Sequence, residues 1–299
     1  MAQQIPLDPN ARADDPKQDD ARHDGTHEAA PDLAYKRLAL VNVAFIGFAG
    51  AGDRNWVLVD AGLPNTASLI SDAAEERFGK NARPSAIIMT HAHFDHASAL
   101  EELSERWDVP VYAHEREHPY LNGMAHYPPP DPTVGGGIFS ATSPLYPRGP
   151  VNVSARLHAL PEDGSVPPLP GWHWLHTPGH SPGHVSFWRA SDRSLIVGDA
   201  FITTAQESAY SVALQKTEMH GPPMYYTMDW TEAAESVRKL AALEPELVIT
   251  GHGRAMHGIP MRQALYTLAH DFEQVAVPKH GRYTQHPLSA SDPDNYVPA

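Results

Sequence analysis

The chain has 299 residues, of which 41% are hydrophobic, and its formal net charge at pH 7 is -14. This length allows one large domain or two small ones, and the acidic balance disfavours a polyanionic partner such as nucleic acid. The absence of cysteine excludes disulfide bonds and thiolate metal ligands, so His, Asp and Glu must supply any metal site.

The beginning of the sequence lacks the features of a secretory signal or a membrane anchor. It has no basic start followed by an apolar core, and the most apolar stretch, residues 38–52, is too short to span a bilayer. We therefore predict a cytoplasmic protein without a membrane partner. Residues 1–32 are rich in Asp, Pro and Ala, so they cannot bury enough apolar surface to offset their ordering entropy. They predict a flexible N-terminal arm, or an arm that orders against a second subunit in a homodimer.

Apolar patterns and turn residues predict a β-hairpin at the start of the folded domain. Residues 38–48 and 56–60 are strand-like, and the glycine-rich stretch 50–53 supplies the turn between them. The second strand ends at Asp60, next to a glycine turn. Residues 66–78 then have the character of a helix.

The most informative segment is the sequence His-Ala-His-Phe-Asp-His at residues 91–96. It follows residues 85–90, an apolar run that predicts a buried strand, and it precedes residues 98–107, which predict a helix. Four side chains with nitrogen or oxygen ligand atoms therefore crowd onto one strand-to-helix turn. Imidazole and carboxylate groups suit zinc and other first-row metals. His91 and His93 can share one face of an extended stretch, whereas the residues after the turn can face a second centre.

The middle of the chain combines a short strand with a long irregular segment. Residues 109–114 predict the strand. Residues 119–150 contain three consecutive prolines and three consecutive glycines, and loops of this length within a domain are usually lids or binding loops. We interpret this segment as an inserted loop that shapes the mouth of a pocket.

The second half of the chain again has strands that lead to a candidate metal ligand. Four strands are predicted, at residues 172–177, 185–188, 195–198 and 247–250. The first leads to His180, the third ends at Asp199 and the fourth ends before His252, each with a glycine beside it. Two helices are predicted, at residues 231–243 and 260–277. The domain is thus expected to cover residues 33–277, followed by an irregular tail at 278–299.

Together these motifs resemble those of the metallo-β-lactamase-fold hydrolases. The matching elements are His-Ala-His-Phe-Asp-His at 91–96, Thr-Pro-Gly-His at 177–180, Gly-Asp at 198–199, Gly-His at 251–252 and Val-Asp-Ala-Gly at 59–62. The resemblance spans residues 35–275 and is to the glyoxalase-II-like and lactonase-like branch. It implies an α+β fold, a four-layer αββα sandwich, in which the domain is catalytic and depends on metal.

The resemblance also assigns a role to each residue of the motifs. The ligands of two divalent metal ions would be His91, His93 and His180 for the first ion, Asp95, His96 and His252 for the second, and Asp199 between them. Asp60 would accept a hydrogen bond from the other ring nitrogen of a ligand imidazole and fix its tautomer. Zinc is the expected metal, and such ligands also accept manganese, iron and cobalt.

This arrangement implies hydrolysis of a small-molecule substrate without a covalent intermediate. Two metal ions about 3.5–4 Å apart can hold a hydroxide that is nucleophilic at neutral pH, and they can polarise the carbonyl under attack. Asp95 would orient the hydroxide and carry its proton to the leaving group, which makes it the expected catalytic residue. Four side chains that precede the 231–243 helix are candidates for binding the substrate: Tyr210, His220, Tyr225 and Tyr226. Packing in the core is an equally good interpretation of each tyrosine.

The remaining histidines have simpler interpretations. His184 is expected to support the site or to lie at the surface rather than to bind a metal. His176 is expected to be a structural residue of its strand. Surface positions are expected for His114, His118 and His126.

Several features of the sequence bear on the substrate. β-Lactamases of this fold commonly use a cysteine or lack an aspartate at the position of Asp199, so the sequence argues against antibiotic hydrolysis. The oxygen-reducing di-iron members tend to carry Glu where His93 stands, and nuclease members usually have basic surfaces. Thioesterases of the glyoxalase-II type and quorum-quenching lactonases share all the ligands, but the basic C-terminal pattern of the former is not evident. We therefore predict hydrolysis of a small ester, lactone or thioester, with a lactone slightly ahead.

The sequence is also compatible with other classes of function. A metal-binding protein without catalysis, acting as a sensor or scaffold, would use the same ligands. A β-lactamase or a di-iron oxidoreductase is disfavoured by the residues above. Metal content, oxygen uptake and the effect of an Asp95→Asn variant would discriminate among them.

Overall fold

The computed structural model describes residues 5–14, 26–208, 210 and 216–299. These residues form the strands β1 (Ile5–Pro6), β2 (Thr26–Ala30), β3 (Leu33–Leu38), β4 (Val41–Ile46), β5 (Val57–Val59), β6 (Ala86–Ile88), β7 (Val111–Ala113), β8 (Ala125–His126), β9 (Leu157–Ala159), β10 (Trp172–His176), β11 (Val185–Arg189), β12 (Ser194–Gly198), β13 (Glu218–Met219), β14 (Leu247–Thr250), β15 (Met256–His257) and β16 (Val297–Pro298). They also form the helices α1 (Ala67–Phe78), α2 (Phe94–Ala97), α3 (Leu100–Trp107), α4 (His118–Leu121), α5 (Ile138–Thr142), α6 (Trp230–Ala241), α7 (Gly258–His270), α8 (Phe272–Val275) and α9 (Arg282–Gln285). Within the described residues, none of the helices combines the length and hydropathy that crossing a bilayer would require.

Two β-sheets form the centre of the molecule. One has seven strands in the order β2-β3-β4-β5-β6-β7-β9, and the other has five in the order β10-β11-β12-β14-β15. Strands β5, β6 and β7 run parallel to one another, as do β12 and β14. The carboxyl ends of parallel strands meet at one edge of a sheet, and the predicted metal-binding residues follow those ends.

Apolar side chains on both faces of the two sheets create three cores and four layers. Between the sheets, Tyr35, Phe187 and Ile249 are among the buried residues. On the outer face of the seven-stranded sheet, α1 and α3 pack around Trp56, whose ring stacks on Phe78 with centroids 4.4 Å apart. On the outer face of the five-stranded sheet, α6 and α7 bury a third cluster. This is a four-layer αββα sandwich, so the predicted fold class is confirmed.

The structure differs from the predicted elements at several places. The tail at 278–299, expected to be irregular, contains α9 and β16. The predicted strand 38–48 contains the end of β3 and the whole of β4, which join through a tight turn where Ala39 has a φ of 60°. Neither glycine nor proline marks that turn, so the continuous apolar run hides it. The predicted helix 260–277 is interrupted at Asp271, between α7 and α8. The predicted pairing with the next strand is nevertheless present, between β4 and β5.

Parts of the predicted N-terminal arm pack against the domain. Strand β1 pairs with β13, and β2 extends the seven-stranded sheet by pairing with β3. Leu7 and Ala11 are buried. Strand β2 is held by main-chain hydrogen bonds, which need no large apolar side chains, so composition alone does not reveal it. Residues 15–25 lie outside the described residues, and the division of the chain into arm, domain and tail stays a prediction.

The inserted loop and the C-terminal tail contact each other. Strand β8 in the loop pairs with β16 in the tail. Tyr120 donates a hydrogen bond to the main-chain carbonyl of Asn295 at 2.9 Å, and both residues are buried. The tail therefore holds the base of the inserted loop in place.

Asp14 anchors the N-terminal segment through a buried ionic network. Its side chain is fully buried, and its Oδ2 accepts hydrogen bonds from Tyr35 at 2.8 Å and from Nη2 of Arg12 at 3.0 Å. Nδ1 of His27 lies 3.0 Å from the same oxygen. Burial acts to raise the pKa of Asp14, but the hydrogen bonds from His27, Arg12 and Tyr35 hold it well below its ordinary value.

Replacing Asp14 with asparagine is expected to lower the free energy of unfolding at pH 7 by about 3 kcal/mol, because it removes a buried charge on which several donors converge. A carboxyl whose folded-state pKa is depressed stabilises the fold above its unfolded pKa of about 4, and this stabilisation is lost as the pH falls through the folded value. Urea denaturation should therefore show a smaller difference between wild type and Asp14→Asn at pH 3 than at pH 7. The control is Asp72→Asn, an exposed change on α1. An equal difference at both pH values would contradict the role of the charge.

Candidate metal centre

The carboxyl ends of four strands bring the predicted ligand residues to one place. Asp60 follows β5, the 91–96 turn follows β6, Asp199 follows β12 and His252 comes directly after Gly251 beyond β14. His180, the remaining predicted ligand, lies in the turn between β10 and β11. The predicted ligands and Asp60 are all buried, with exposed fractions between 0% and 4%.

The ligand atoms form three overlapping groups, and within each group they lie within 4.8 Å of one another. The groups are His91 with His93 and His180, His91 with His96 and Asp199, and Asp95 with His96 and His252. Asp199 is central, since its Oδ2 lies 3.1 Å from Nε2 of His252 and 3.5 Å from Nε2 of both His96 and His180. The structure thus brings together all seven residues that the sequence predicts to be ligands.

Hydrogen bonds behind the cluster fix the tautomers of His91 and His96. Thr90 donates its hydroxyl proton to Oδ2 of Asp60 at 2.8 Å, so its oxygen accepts from Nδ1–H of His91, 3.0 Å away. The same Asp60 oxygen accepts from Nδ1–H of His96 at 2.9 Å. When either ring is neutral, the proton on Nδ1 leaves a lone pair on Nε2, on the side of the cluster. Thr90 looks in the sequence like an ordinary strand residue, but here it orients His91.

Two further histidines are oriented in the same way. Nδ1–H of His252 donates to the carbonyl of Leu40 at 2.6 Å. The hydroxyl of Thr227 donates to a main-chain carbonyl at 2.8 Å, so it accepts from Nδ1–H of His180 at 3.3 Å. Both Nε2 atoms therefore face the cluster, and each carries a lone pair when its ring is neutral. His93 differs, because its Nδ1 faces inward and lies 2.9 Å from Nε2 of His180.

Buried polar atoms without partners show that the cluster fits a metal ion. Nε2 of His91 and Oδ1 of Asp199 are buried and have no hydrogen-bond partner among the described residues. A buried polar group left unsatisfied costs about 1–3 kcal/mol, so folded proteins retain few of them. The lone pairs that converge here belong to imidazole nitrogens and carboxylate oxygens, which suit divalent first-row cations. The side chains present could therefore hold divalent metal ions.

The electrostatics of the cluster also suit cations. Burial lowers the pKa of His91 and His93 well below the ordinary value, and it lowers the pKa of His180 to about 3. These imidazoles are therefore neutral near pH 7, the form that binds a metal. Burial raises the pKa of Asp95. Burial acts in the same direction on Asp199, but His252 and His96 hold its pKa well below the ordinary value, so this carboxylate is charged. Burial acts to lower the pKa of these two histidines, but Asp199 raises both values, so a metal ion at their Nε2 atoms would compete with a proton.

Two glycines permit the close approach of the chain to these side chains. Gly198 has a φ of 62°, and a Cβ atom there would lie 2.6 Å from Nε2 of His184. A Cβ atom on Gly251 would lie 2.0 Å from Oδ1 of Asp199. Any larger residue at either position would displace a side chain of the site.

The other histidines that the sequence singles out have supporting positions. His184 is buried, and its Nε2 accepts a hydrogen bond from the main-chain N–H of Asp199 at 2.9 Å, so it holds that aspartate in place. His176 stacks on His114 with centroids 4.4 Å apart, and its Nε2 lies 2.9 Å from a main-chain carbonyl. Intermediate exposure, rather than full exposure, is found for the three histidines expected at the surface, His114, His118 and His126.

The predicted substrate-binding residues have different environments. The ring of Tyr226 stacks on His93 with centroids 4.4 Å apart, and its buried hydroxyl has no hydrogen-bond partner among the described residues. Tyr225 is also buried, with its ring 4.9 Å from that of Tyr226. His220 is buried, whereas Tyr210 is 70% exposed. The structure therefore places Tyr226 against the cluster.

Glu117 is a buried residue beside the site that sequence reasoning missed. It lies in the charged stretch 114–118, which has the composition of a surface turn, yet it is completely buried. Its carboxylate accepts hydrogen bonds from the main-chain N–H groups of Ala92 and Gly183 at 2.9 and 2.7 Å, and from the hydroxyl of Tyr127. These partners are distant in sequence and meet only in the fold, so no local signal marks Glu117.

Comparison with known proteins places the chain in a family. A family model described as the metallo-beta-lactamase superfamily matches residues 38–252. The chain is similar to the probable metallo-hydrolase YflN of Bacillus subtilis (strain 168), with 47% identity over 248 residues, 83% of this chain and 94% of that protein. The probable metallo-hydrolase YybB of the same organism is 31% identical over 170 residues, 57% of this chain and 64% of that protein.

Solved structures share the fold. A beta-lactamase domain protein from Burkholderia ambifaria matches with a TM-score of 0.59 and 18% identity, over 87% of this chain and 76% of that one. A metallo-beta-lactamase family protein from Thermus thermophilus matches with a TM-score of 0.53 and 20% identity, over 82% of this chain and 81% of that one. The family match confirms the predicted resemblance and the predicted enzyme class. The chain belongs to the metallo-β-lactamase superfamily and is a metal-dependent hydrolase.

Proposed function

We propose that the chain is a dinuclear hydrolase that cleaves a small ester, lactone or thioester. The observation that carries this proposal is the cluster of seven buried His and Asp side chains, whose ligand atoms form three overlapping groups within 4.8 Å. A single zinc ion takes about four ligands. The larger number of converging ligand atoms supports a pair of ions.

The assignment of ligands follows the atoms that face one another. The first ion would be held by Nε2 of His91, Nδ1 of His93 and Nε2 of His180, and the second by Asp95, His96 and His252. Asp199 would bridge the two, because its Oδ2 approaches the inward nitrogens of both sets at 3.1 to 3.5 Å. We expect zinc, and the same donor set also accepts manganese, iron and cobalt.

The chain's own residues supply the orientation and the proton transfer of the reaction. Metal ions bound in such a site polarise a carbonyl group and acidify water. Asp95 is buried at the cluster, with its Oδ2 3.5 Å from Nε2 of His252, so its carboxylate can accept a proton from a water molecule held there. Asp95 takes the proton of the attacking water and delivers it to the leaving oxygen or sulfur. Asp60 holds the ring of His96 through Nδ1, so that this ligand keeps one orientation.

Tyr226 is the residue that we assign to the substrate. Burial raises the pKa of its phenol, so the hydroxyl stays protonated and can donate a hydrogen bond to the substrate. The ring of Phe94 lies 6.4 Å from that of Tyr226 and 5.3 Å from that of Tyr146. These rings would form an aromatic wall for an apolar acyl group. Such a wall beside a hydrogen-bond donor suits a substrate with an acyl group and a carbonyl oxygen, and we keep a lactone as the first choice.

The substrate class is tested with acyl-homoserine lactones, aryl esters, acyl thioesters and a β-lactam, offered to zinc-, manganese- or iron-loaded protein. Turnover of a lactone, ester or thioester is the expected result. In Asp95→Asn protein loaded with both ions, kcat should fall by about 100- to 10,000-fold, because the amide keeps the shape of the side chain but cannot accept the proton. The matched change Asp72→Asn, on the exposed face of α1, should retain wild-type turnover.

Three results would replace this function with another. Wild-type protein that binds metal but turns over none of the panel would favour a metal-binding protein without catalysis. Turnover of the β-lactam alone would favour a β-lactamase, and bound iron with oxygen uptake would favour a di-iron oxidoreductase.

A further inference from the structure

We propose that Glu117 is a positioning residue that sets the spacing of the two turns that carry the ligands of the first metal ion. The inference rests on the proposed dinuclear site, because it concerns the support of His91, His93 and His180. Glu117 lies at the end of a short 3₁₀ turn, Glu115–Glu117, that follows β7. It is completely buried.

One carboxylate connects both ligand-bearing turns. Oε2 of Glu117 accepts a hydrogen bond at 2.9 Å from the main-chain N–H of Ala92, which lies between the two histidines of the first turn. Oε1 accepts hydrogen bonds from the N–H of Gly183 at 2.7 Å and from the hydroxyl of Ser181 at 2.8 Å. Both of these donors belong to the turn that carries His180. A shift of the carboxylate would therefore move the two turns relative to each other.

The inserted loop is tied to the same carboxylate through Tyr127. The Tyr127 hydroxyl donates to Oε2 of Glu117 and also lies 3.1 Å from the main-chain nitrogen of Ala92. The Tyr127 ring packs against His93 with centroids 4.3 Å apart. Glu117 thus joins three segments that are separate in sequence, and three of its partners, Ala92, Ser181 and Tyr127, flank or touch a ligand of the first ion.

The backbone is shaped to admit this carboxylate. A Cβ atom on Gly183 would lie 2.7 Å from Cγ of Glu117 and 2.9 Å from its main-chain nitrogen. Distances this short do not occur between real atoms of these types, so only glycine lets the turn approach Glu117 as closely as it does.

The pattern of donors requires a carboxylate and not merely a side chain of this size. Each oxygen of Glu117 faces one main-chain N–H group, that of Ala92 or that of Gly183. In a glutamine the amide nitrogen would face one of these N–H groups whichever way the amide is turned. The N–H of Gly183 would lose this acceptor, or the N–H of Ala92 would keep only the Tyr127 hydroxyl, 3.1 Å away. A main-chain donor cannot rotate away as a hydroxyl can.

The test compares Glu117→Gln with Glu115→Gln, an exposed change in the same turn. We expect Glu117→Gln to weaken binding of one of the two ions by roughly 10- to 100-fold, the usual effect of losing a partner behind a metal site. The other ion should bind as in wild type, and Glu115→Gln should match wild type for both. Titration with Zn²⁺ against a chromophoric chelator gives the two affinities, and the visible spectrum of Co²⁺-loaded protein reports which site has changed.

Circular dichroism and thermal unfolding of the metal-free proteins show whether each variant folds. If Glu117→Gln does not fold, Ser181→Ala and Tyr127→Phe replace it, since each removes one hydroxyl donor and keeps both main-chain bonds. These variants should weaken the same ion by less than about tenfold. Unchanged affinity for both ions, or equal weakening of both, in the variants that fold would overturn the proposal.

Measuring metal affinity, rather than turnover, makes it possible to test this inference separately from the proposed function. Wild-type protein that binds two ions but hydrolyses no substrate would contradict the proposed function, and the effect of Glu117→Gln on binding would still support the inference. Wild-type protein that binds neither Zn²⁺ nor Co²⁺ would overturn both.

Discussion

Replacing Asp199 with alanine is expected to cause the largest loss of metal binding of any single change in the cluster. Its Oδ2 lies 3.1 Å from Nε2 of His252 and 3.5 Å from Nε2 of His180, so one carboxylate contacts residues assigned to both ions. The free energy of zinc binding to a site with four ligands is about 12 kcal/mol, so each ligand contributes roughly 3 kcal/mol. This corresponds to about a hundredfold in affinity. Because a bridging ligand is lost to both ions, both affinities should fall by about this factor.

Competitive titration with a chromophoric chelator and metal content after gel filtration measure this effect. At metal concentrations near the wild-type dissociation constants, the doubly loaded fraction and the turnover should fall by roughly a thousandfold. Asp72→Ala, an exposed change on α1, is the control and should leave both unchanged. If the Asp199→Ala variant still bound two ions tightly, the bridging role would be contradicted. The histidines would then be the main source of the affinity for metal.

The ligand cluster could be predicted from the sequence because most of the ligands stand close to the end of an apolar strand; His180 is the exception, since it follows the half-buried β10. Strands buried on both faces appear as short apolar runs, and β6, β12 and β14 are such runs. The residues that follow them, such as His91 and Asp199, are polar groups that would be costly to bury without a purpose. The layered fold follows from the same runs together with the amphipathic helices between them.

The groups behind the ligands could not be predicted, because their partners are distant in the chain. Glu117 binds main-chain groups 25 and 66 residues away, at Ala92 and Gly183. Asp14 likewise meets Tyr35 only after the N-terminal segment has folded against the sheet. The turn at Ala39 was hidden for another reason, since its left-handed residue is neither glycine nor asparagine.

Removing bound metal with a chelator is expected to abolish turnover and to lower the thermal midpoint of unfolding by about 10 °C or more. Ions that bind only the folded state stabilise it by about 4 kcal/mol each when present at a thousand times their dissociation constant. The structure gives the reason for such binding. Nε2 of His91 and Oδ1 of Asp199 are buried without hydrogen-bond partners among the described residues, and a cation would satisfy both.

The comparison with Asp199→Ala separates two contributions to the stability of the fold, one from bound metal and one from the Asp199 side chain in the metal-free protein. In the metal-free protein Asp199 lies 3.1 Å from Nε2 of His252, and this contact has its own effect on stability. The difference between the loaded and chelated midpoints within each protein cancels that effect. A hundredfold loss of affinity should reduce the free energy of stabilisation by metal by about 2.7 kcal/mol for each ion. The chelator should therefore shift the midpoint of Asp199→Ala far less than that of wild type. We expect turnover to recover when Zn²⁺ is added back to the chelated protein. Full turnover by chelated wild type that contains no measurable metal would contradict the dinuclear mechanism.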